Sequence, residues 1–195
     1  LEGRVPQSAL LSHDLFEGIF ARAGLASDVE VVEEYPARYD VGAFRHHRWA
    51  RGDWQLLPWI LGRVAAPAGT ASAFSAIPAI GRWKMLDNLR RTLSAPFAIL
   101  GLLTGLMLPL QVAVVWTIFV IATIVLPAMI PVMAAVPPRR AGITIPSHMR
   151  ALGGDLRLAL ALSALVVTFL AHQAWLMGDA IMRTLYRLLV TRHQM

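Results

Sequence analysis

Apolar positions recur along this chain in two rhythms, and charged positions vanish after its middle. From residue 92 to residue 138 there is no Asp, Glu, Lys or Arg, a run of 47 residues. As helix, that run would measure about 70 Å at ~1.5 Å per residue, roughly two crossings of a ~30 Å hydrocarbon core. A second such run, residues 158–178, is 21 residues long and suffices for one further crossing. The pattern predicts a chain that is part water-facing and part membrane-embedded. Pro109 and Gln111 punctuate the longer run and predict a turn between spans of about 96–108 and 112–132. The first is short for a full crossing unless it begins nearer Leu93. Pro127 and Pro131 are expected to kink the second, which membrane helices tolerate where neighbours satisfy the freed carbonyls.

Ahead of the spans the rhythm is mixed. Ser12 is a natural N-cap for a helix over 13–23, with Leu15, Ile19 and Phe20 on its apolar side and Gly24 at its end. "DVEVVEEYP" predicts a short strand over 29–35, stopped by Pro36. A helix over 41–61 follows, broken or kinked at Pro58. This mixture predicts the tail end of an α/β domain. Residues 64–79, "VAAPAGTASAFSAIPA", have the composition of a flexible linker. Ile80, Trp83, Leu86, Leu89 and Leu93 then recur every three or four positions, which predicts an amphipathic helix over 80–94. Its tryptophan and basic flanks suit the lipid interface; an ordinary helix packed on the soluble part is the other reading.

Charge sharpens this division. The chain has 195 residues and a formal net charge of +6, yet ten of its twelve acids lie at or before Asp87. Arg82, Lys84, Arg90 and Arg91 precede the first span, and Arg139, Arg140, Arg150 and Arg157 separate the second from the third. Basic residues beside spans mark the cytoplasmic side. Because the cations track the spans, nucleic acid is not expected as a partner. Arg183, Arg187 and Arg192 give the tail the same cytoplasmic signature, although three full crossings would place it on the far side. His172, inside the third run, is read as a packed polar residue bonded to a neighbouring helix, or as part of an ion or sugar pathway. The absence of cysteine excludes disulfides and thiolate-ligated metals. The chain starts at Leu1 with no secretory signal pattern, and is expected to be part of a longer polypeptide.

The candidate chemistry sits in residues 45–55, "RHHRWARGDWQ". If this stretch is helical, Arg48, Arg51 and Gln55 fall on one stripe with Trp49 on its flank. Guanidinium forks suit phosphate oxygens, and an indole face suits the C–H face of a sugar ring. A solvated basic helix that packs its tryptophans on a core has the same pattern. Asp14 stands at the start of the first predicted helix, where a carboxylate also favours the helix dipole.

"RWARG" followed by Gln55 resembles the end of the Q-x-x-R-W signature of processive, membrane-embedded glycosyltransferases of GT-A type. Position 45 departs from it, carrying Arg45 where the signature has Gln. Thirty-four residues upstream of Arg48, "SHDLFEG" is similar to the acidic tripeptide of these enzymes, with Asp14 at the position of the general base and His13 in place of the middle acid. "SHDLFEGIFARAGL", "VEEYPARYDV", "HRWARGDWQLLPWILGR", "RWKMLDNLRRTLSAP", "FLAHQAWLMGDAI" and "RTLYRLLVTR" together resemble the cyclic β-1,2-glucan synthases of bacterial inner membranes. The resemblance implies a fold that is mainly α here: the C-terminal part of a GT-A glucosyltransferase domain in residues 1–63, the linker, the interfacial helix, and a membrane region over 95–195. It implies Asp14 as catalytic base of an inverting transfer, and Arg48, Trp49, Arg51 and Trp54 as substrate-binding residues, with Glu17 a secondary candidate. It further implies UDP-glucose as donor, a growing glucan as acceptor, the bilayer and the other domains of a larger polypeptide as partners, and a divalent ion, Mg or Mn. No D-x-D occurs in the chain, so the metal ligands are expected outside it, and the isolated chain is expected to be inactive. Two other readings are a glycan-translocation or docking module without a catalytic role, and a fragment of a cellulose- or chitin-type synthase.

Overall fold

The computed structural model describes Leu15, Gly18, Ile19 and residues 26–32, 34, 36–62, 77–137, 142 and 144–191. These residues form five α-helices: α1 Tyr39–Gln55, α2 Leu57–Ile60, α3 Ala79–Gly105, α4 Leu110–Ala135 and α5 Ile145–Tyr186, the last continued by a wider π turn, Arg187–Thr191. The mainly helical expectation holds. Among the described residues there is no strand, and an α/β domain of GT-A type is not shown. The strand read over 29–35 is corrected on its described positions: residues 29–32 and 34 are irregular, and Val32 is 95% exposed. β-branched alternation is only half of a strand, because its N–H and C=O groups need a neighbouring ladder.

The chain divides into two compact units, Leu1–Ser94 with Trp175–Met195, and Ala95–Ala174. In the first, α1 opens with Asp40 in its first turn, a carboxylate favourable to the helix N-terminus. It ends at Gln55 because Pro58 lacks the N–H an uninterrupted helix would need, and Pro58 instead lies in the first turn of α2. Gly62 closes α2 with φ of 65° and donates its N–H to the Trp59 carbonyl, a conformation glycine reaches without a Cβ clash. The core joins Leu56, Ile60, Ile77, Met85 and Leu89, with Leu15, Ile19, Trp54, Leu57 and Trp59 packed against it. Ile77 is thus part of the core, although the apolar, Pro-containing run 64–79 was read wholly as linker; residues 63–76 lie outside the described residues.

Helix α3 buries Gly81, Met85, Leu89 and Thr92, at spacings of four, four and three. A Cβ on Gly81 would stand 3.1 Å from the Ile19 side chain, so the small residue sets how near that side chain can come. Of the apolar stripe read on this helix, Leu89 is buried, whereas Ile80, Trp83 and Leu86 are exposed. Pro96 does not end this helix; it lies inside it, and the boundary between the two units falls immediately before, after Ser94.

In the second unit, residues 106–109 form the turn between α3 and α4. Gly101 and Gly105 form a G-x-x-x-G pair on α3, and both face α4. A Cβ on Gly101 would stand 3.3 Å from Val120, and one on Gly105 3.1 Å from Trp116. The Trp116 indole N–H donates to the Gly101 carbonyl at 2.7 Å. Small residues that let two backbones approach are how helices associate where no hydrophobic driving force acts between them. Helix α4 contains Pro127 and Pro131, and only 6% of its most apolar window is buried. His148 at the start of α5 bonds the Val136 carbonyl at 3.1 Å, which ties the end of α4 to α5. Two stretches, Leu110–Ala135 and Ile145–Thr191, are long and apolar enough to cross a membrane. With 42 residues, α5 measures about 63 Å at ~1.5 Å per residue, well beyond one crossing. It runs unbroken from the third apolar run into the charged tail, whose described residues belong to the first unit.

Candidate functional site

The basic stretch lies wholly on α1, and helical geometry sorts its side chains. Arg48 and Trp49 face outward, Trp49 being 41% exposed; Arg51 and Trp54 are half-buried; Gln55, read as the end of the Arg48–Arg51 stripe, is 1% exposed. The stripe therefore runs from solvent into the core. Asp14 and Glu17 lie outside the described residues. The structure thus brings Arg48, Trp49, Arg51 and Trp54 onto one helix.

Trp49 is held by its neighbours. The Arg45 guanidinium carbon lies 5.3 Å from the indole centroid, one turn earlier on the same helix, and the His46 ring lies 5.6 Å away, tilted by 38°. A guanidinium at that distance is attracted to the ring quadrupole by about 0.5–1 kcal/mol at an exposed site. Arg45, the departure from the family signature, thus orients the indole. Trp54 has a different setting. Its indole N–H donates to the Thr92 hydroxyl at 2.9 Å, that hydroxyl donates in turn to the Leu89 carbonyl at 2.8 Å, and its ring packs on the core. Trp54 joins α1 to α3. Asp53 does the same one residue earlier, accepting from the Asn88 amide at 3.0 Å. Burial pushes the Asp53 carboxyl up, against the Asn88 hydrogen bond and the Arg91 charge, which lower it.

Sequence reasoning missed the polar joint between α1 and α5. His47 Nε2 lies 2.9 Å from Asp179 Oδ2, across 132 residues of chain, and Arg183 Nε donates to Asp179 Oδ1 at 2.7 Å. Nothing in local spacing marks this pair, because His47 and Asp179 meet only through tertiary packing. Sequence reasoning also missed the Gly101–Gly105 pair, although "GLLTG" carries the small-x-x-x-small signal. Arg51 lies one turn beyond His47. Its Nε is buried with no hydrogen-bond partner among the described residues. Burial first, then the charges of Arg187 and Arg183, lower its proton affinity, and Asp179 opposes them.

Arginine's fork can bind phosphate or carboxylate oxygens, and an oriented indole beside it can stack a sugar. The described residues contain no group of three His, Asp or Glu side chains placed to hold a metal ion.

No protein-family model matches the chain. The chain is 40% identical over 197 aligned residues to the cyclic beta-(1,2)-glucan synthase NdvB of Rhizobium meliloti (strain 1021). The match takes in 100% of this chain and 7% of that protein. The resemblance read from the motifs therefore extends along the whole chain, which spans a small part of the length of the curated relative it matches.

Proposed function

We propose that this chain is the acceptor side of a membrane-embedded, processive glucosyltransferase that transfers glucose from UDP-glucose to a growing β-1,2-glucan. The observation that carries the reading is the 40% identity along the entire chain to a cyclic β-1,2-glucan synthase. The outward Arg48–Trp49 pair on a rigid helix supports it, because an acceptor needs an exposed aromatic face beside an anion-binding fork. In an inverting transfer, the acceptor hydroxyl attacks the anomeric carbon of the donor, the C–O bond to UDP breaks, and UDP leaves with the bonding pair. Asp14 takes the hydroxyl proton, Arg48 binds diphosphate oxygens, and Trp49 stacks the terminal glucose. Arg51 supports Arg48 from the half-buried side of α1. Trp54 reaches substrate only with its ring, since its N–H is committed to Thr92. A divalent ion, Mg or Mn, supplies charge neutralisation at the diphosphate, with ligands outside this chain.

The same reading places the protein in the bacterial inner membrane, with the soluble part cytoplasmic and α3 at the lipid interface, where the exposed Ile80 and Trp83 beside Arg82 and Lys84 suit it. The exposed apolar surface of α4 suits contact with lipid acyl chains.

The test is Asp14→Asn in the full-length synthase. Loss of a positioned base is expected to lower polymer synthesis by about 10²–10⁴. Synthesis that continues while only export changes would replace the catalytic reading by the translocation reading. Arg48→Lys is expected to impair synthesis as well, because a point ammonium cannot reproduce the fork.

A further inference from the structure

Three arginines of the first unit gather about Asp179, the one carboxylate that answers them among the described residues. The His47–Asp179 contact sets α1 beside α5. From those anchors helical spacing brings Arg51 one turn on along α1 and Arg183 one turn on along α5, with Arg187 opening the π turn just past its end. The positive charges of Arg187 and Arg183 both act on Arg51. Asp179 is already engaged, one oxygen with Arg183 and the other with His47. Arg51 Nε remains a buried donor without an acceptor among the described residues, and a buried donor left unmet costs about 1–3 kcal/mol.

We infer that Arg51, Arg183 and Arg187 form a binding site for a phosphate group, seated against the His47–Asp179 contact. A phosphate or phosphodiester supplies what the cluster lacks: negative charge for surplus guanidinium and oxygen acceptors for the Arg51 fork. The site also lies where a lipid headgroup would. Arg183 and Arg187 follow the uncharged run 158–178 on one continuous helix, and the exposed Trp175 and Tyr186 flank that end as interfacial aromatics do. The site shares Arg51 with the proposed substrate-binding residues, whereas Arg183 and Arg187 lie outside them, so Arg187→Gln tests this site separately from the glucan reading.

The test uses the full-length synthase in neutral detergent, titrated with phosphatidylglycerol or phosphatidylcholine in mixed micelles, and separately with inorganic phosphate. Arg51→Gln and Arg187→Gln are each expected to weaken anion binding about tenfold, with phosphatidylcholine unaffected. Loss confined to phosphatidylglycerol assigns the site to a lipid headgroup, and loss confined to inorganic phosphate assigns it to a soluble phosphate. Arg187 is exposed, so its variant keeps the fold and decides the matter should Arg51→Gln fail to fold. Binding of both anions unchanged within twofold in a folded Arg187→Gln protein, or binding of neither anion by the parent protein, overturns the inference.

Discussion

The two units of this chain use apolar side chains in opposite ways. Around α1 to α3, large side chains close on one another, and polar groups are paired between helices: Trp54 with Thr92, Asp53 with Asn88, His47 with Asp179. In residues 95–174 the large side chains point outward and most hydroxyls bond within their own helix, as Thr104, Thr123, Ser163 and Thr168 do. A helix in water that leaves so much apolar surface open forgoes the main driving force of folding. A helix in lipid loses nothing by it, and must instead satisfy every backbone group internally. Burial, more than composition, separates the two units.

A matched pair of truncations gives the sharpest contrast. Met85→Ala removes a side chain that is 1% exposed and is expected to cost about 2–5 kcal/mol in denaturant unfolding. Ile118→Ala on α4, 63% exposed, is expected to cost less than about 0.5 kcal/mol in detergent. Equal costs would mean that α4 packs as a core helix.

Next in size is overpacking at the α3–α4 contact. Gly105→Leu would drive a side chain into Trp116 and is expected to destabilise by about 1–3 kcal/mol, read as a lowered melting temperature. Gly153, inside α5 with nothing within 4 Å of a Cβ, serves as control: Gly153→Ala is expected to stabilise by about 0.5–1 kcal/mol.

The smallest effect is electrostatic. Burial raises the Asp53 carboxyl, so the stability tied to its neutral form is complete below the ordinary carboxylate pKa and is lost as pH climbs through its raised value. Asp53→Asn keeps an acceptor for Asn88 and removes the buried charge. Its unfolding free energy is expected to match or exceed the parent's at neutral pH, with the acid-side slope flattened. Asp87 acts with the opposite sign: hydrogen bonds from Arg90 and then Arg91 hold its carboxyl low, so its contribution is lost as pH falls.

Periodicity made the helices legible because it follows apolar side chains. It located α1 and its break before Pro58, and the turn at Pro109. It gave no sign that α3 packs through Gly81 and Thr92, since these carry no hydrophobic signal although close approach selects small residues. It also produced a strand at 29–35, since alternation cannot say whether a partner ladder exists. The motif letters singled out Arg48, Trp49, Arg51 and Trp54 alike, and only the fold separates the outward Trp49 from Trp54, which bonds Thr92. The His47–Asp179 contact could not be read from the chain at all.

The most direct test of the acceptor-side account is Trp49→Ala in the full-length synthase, with glucan elongation and UDP-glucose hydrolysis measured on the same preparation. If Trp49 stacks the acceptor as proposed, elongation is expected to fall while hydrolysis is largely kept. Equal loss of both activities would contradict it and make Trp49 a packing residue.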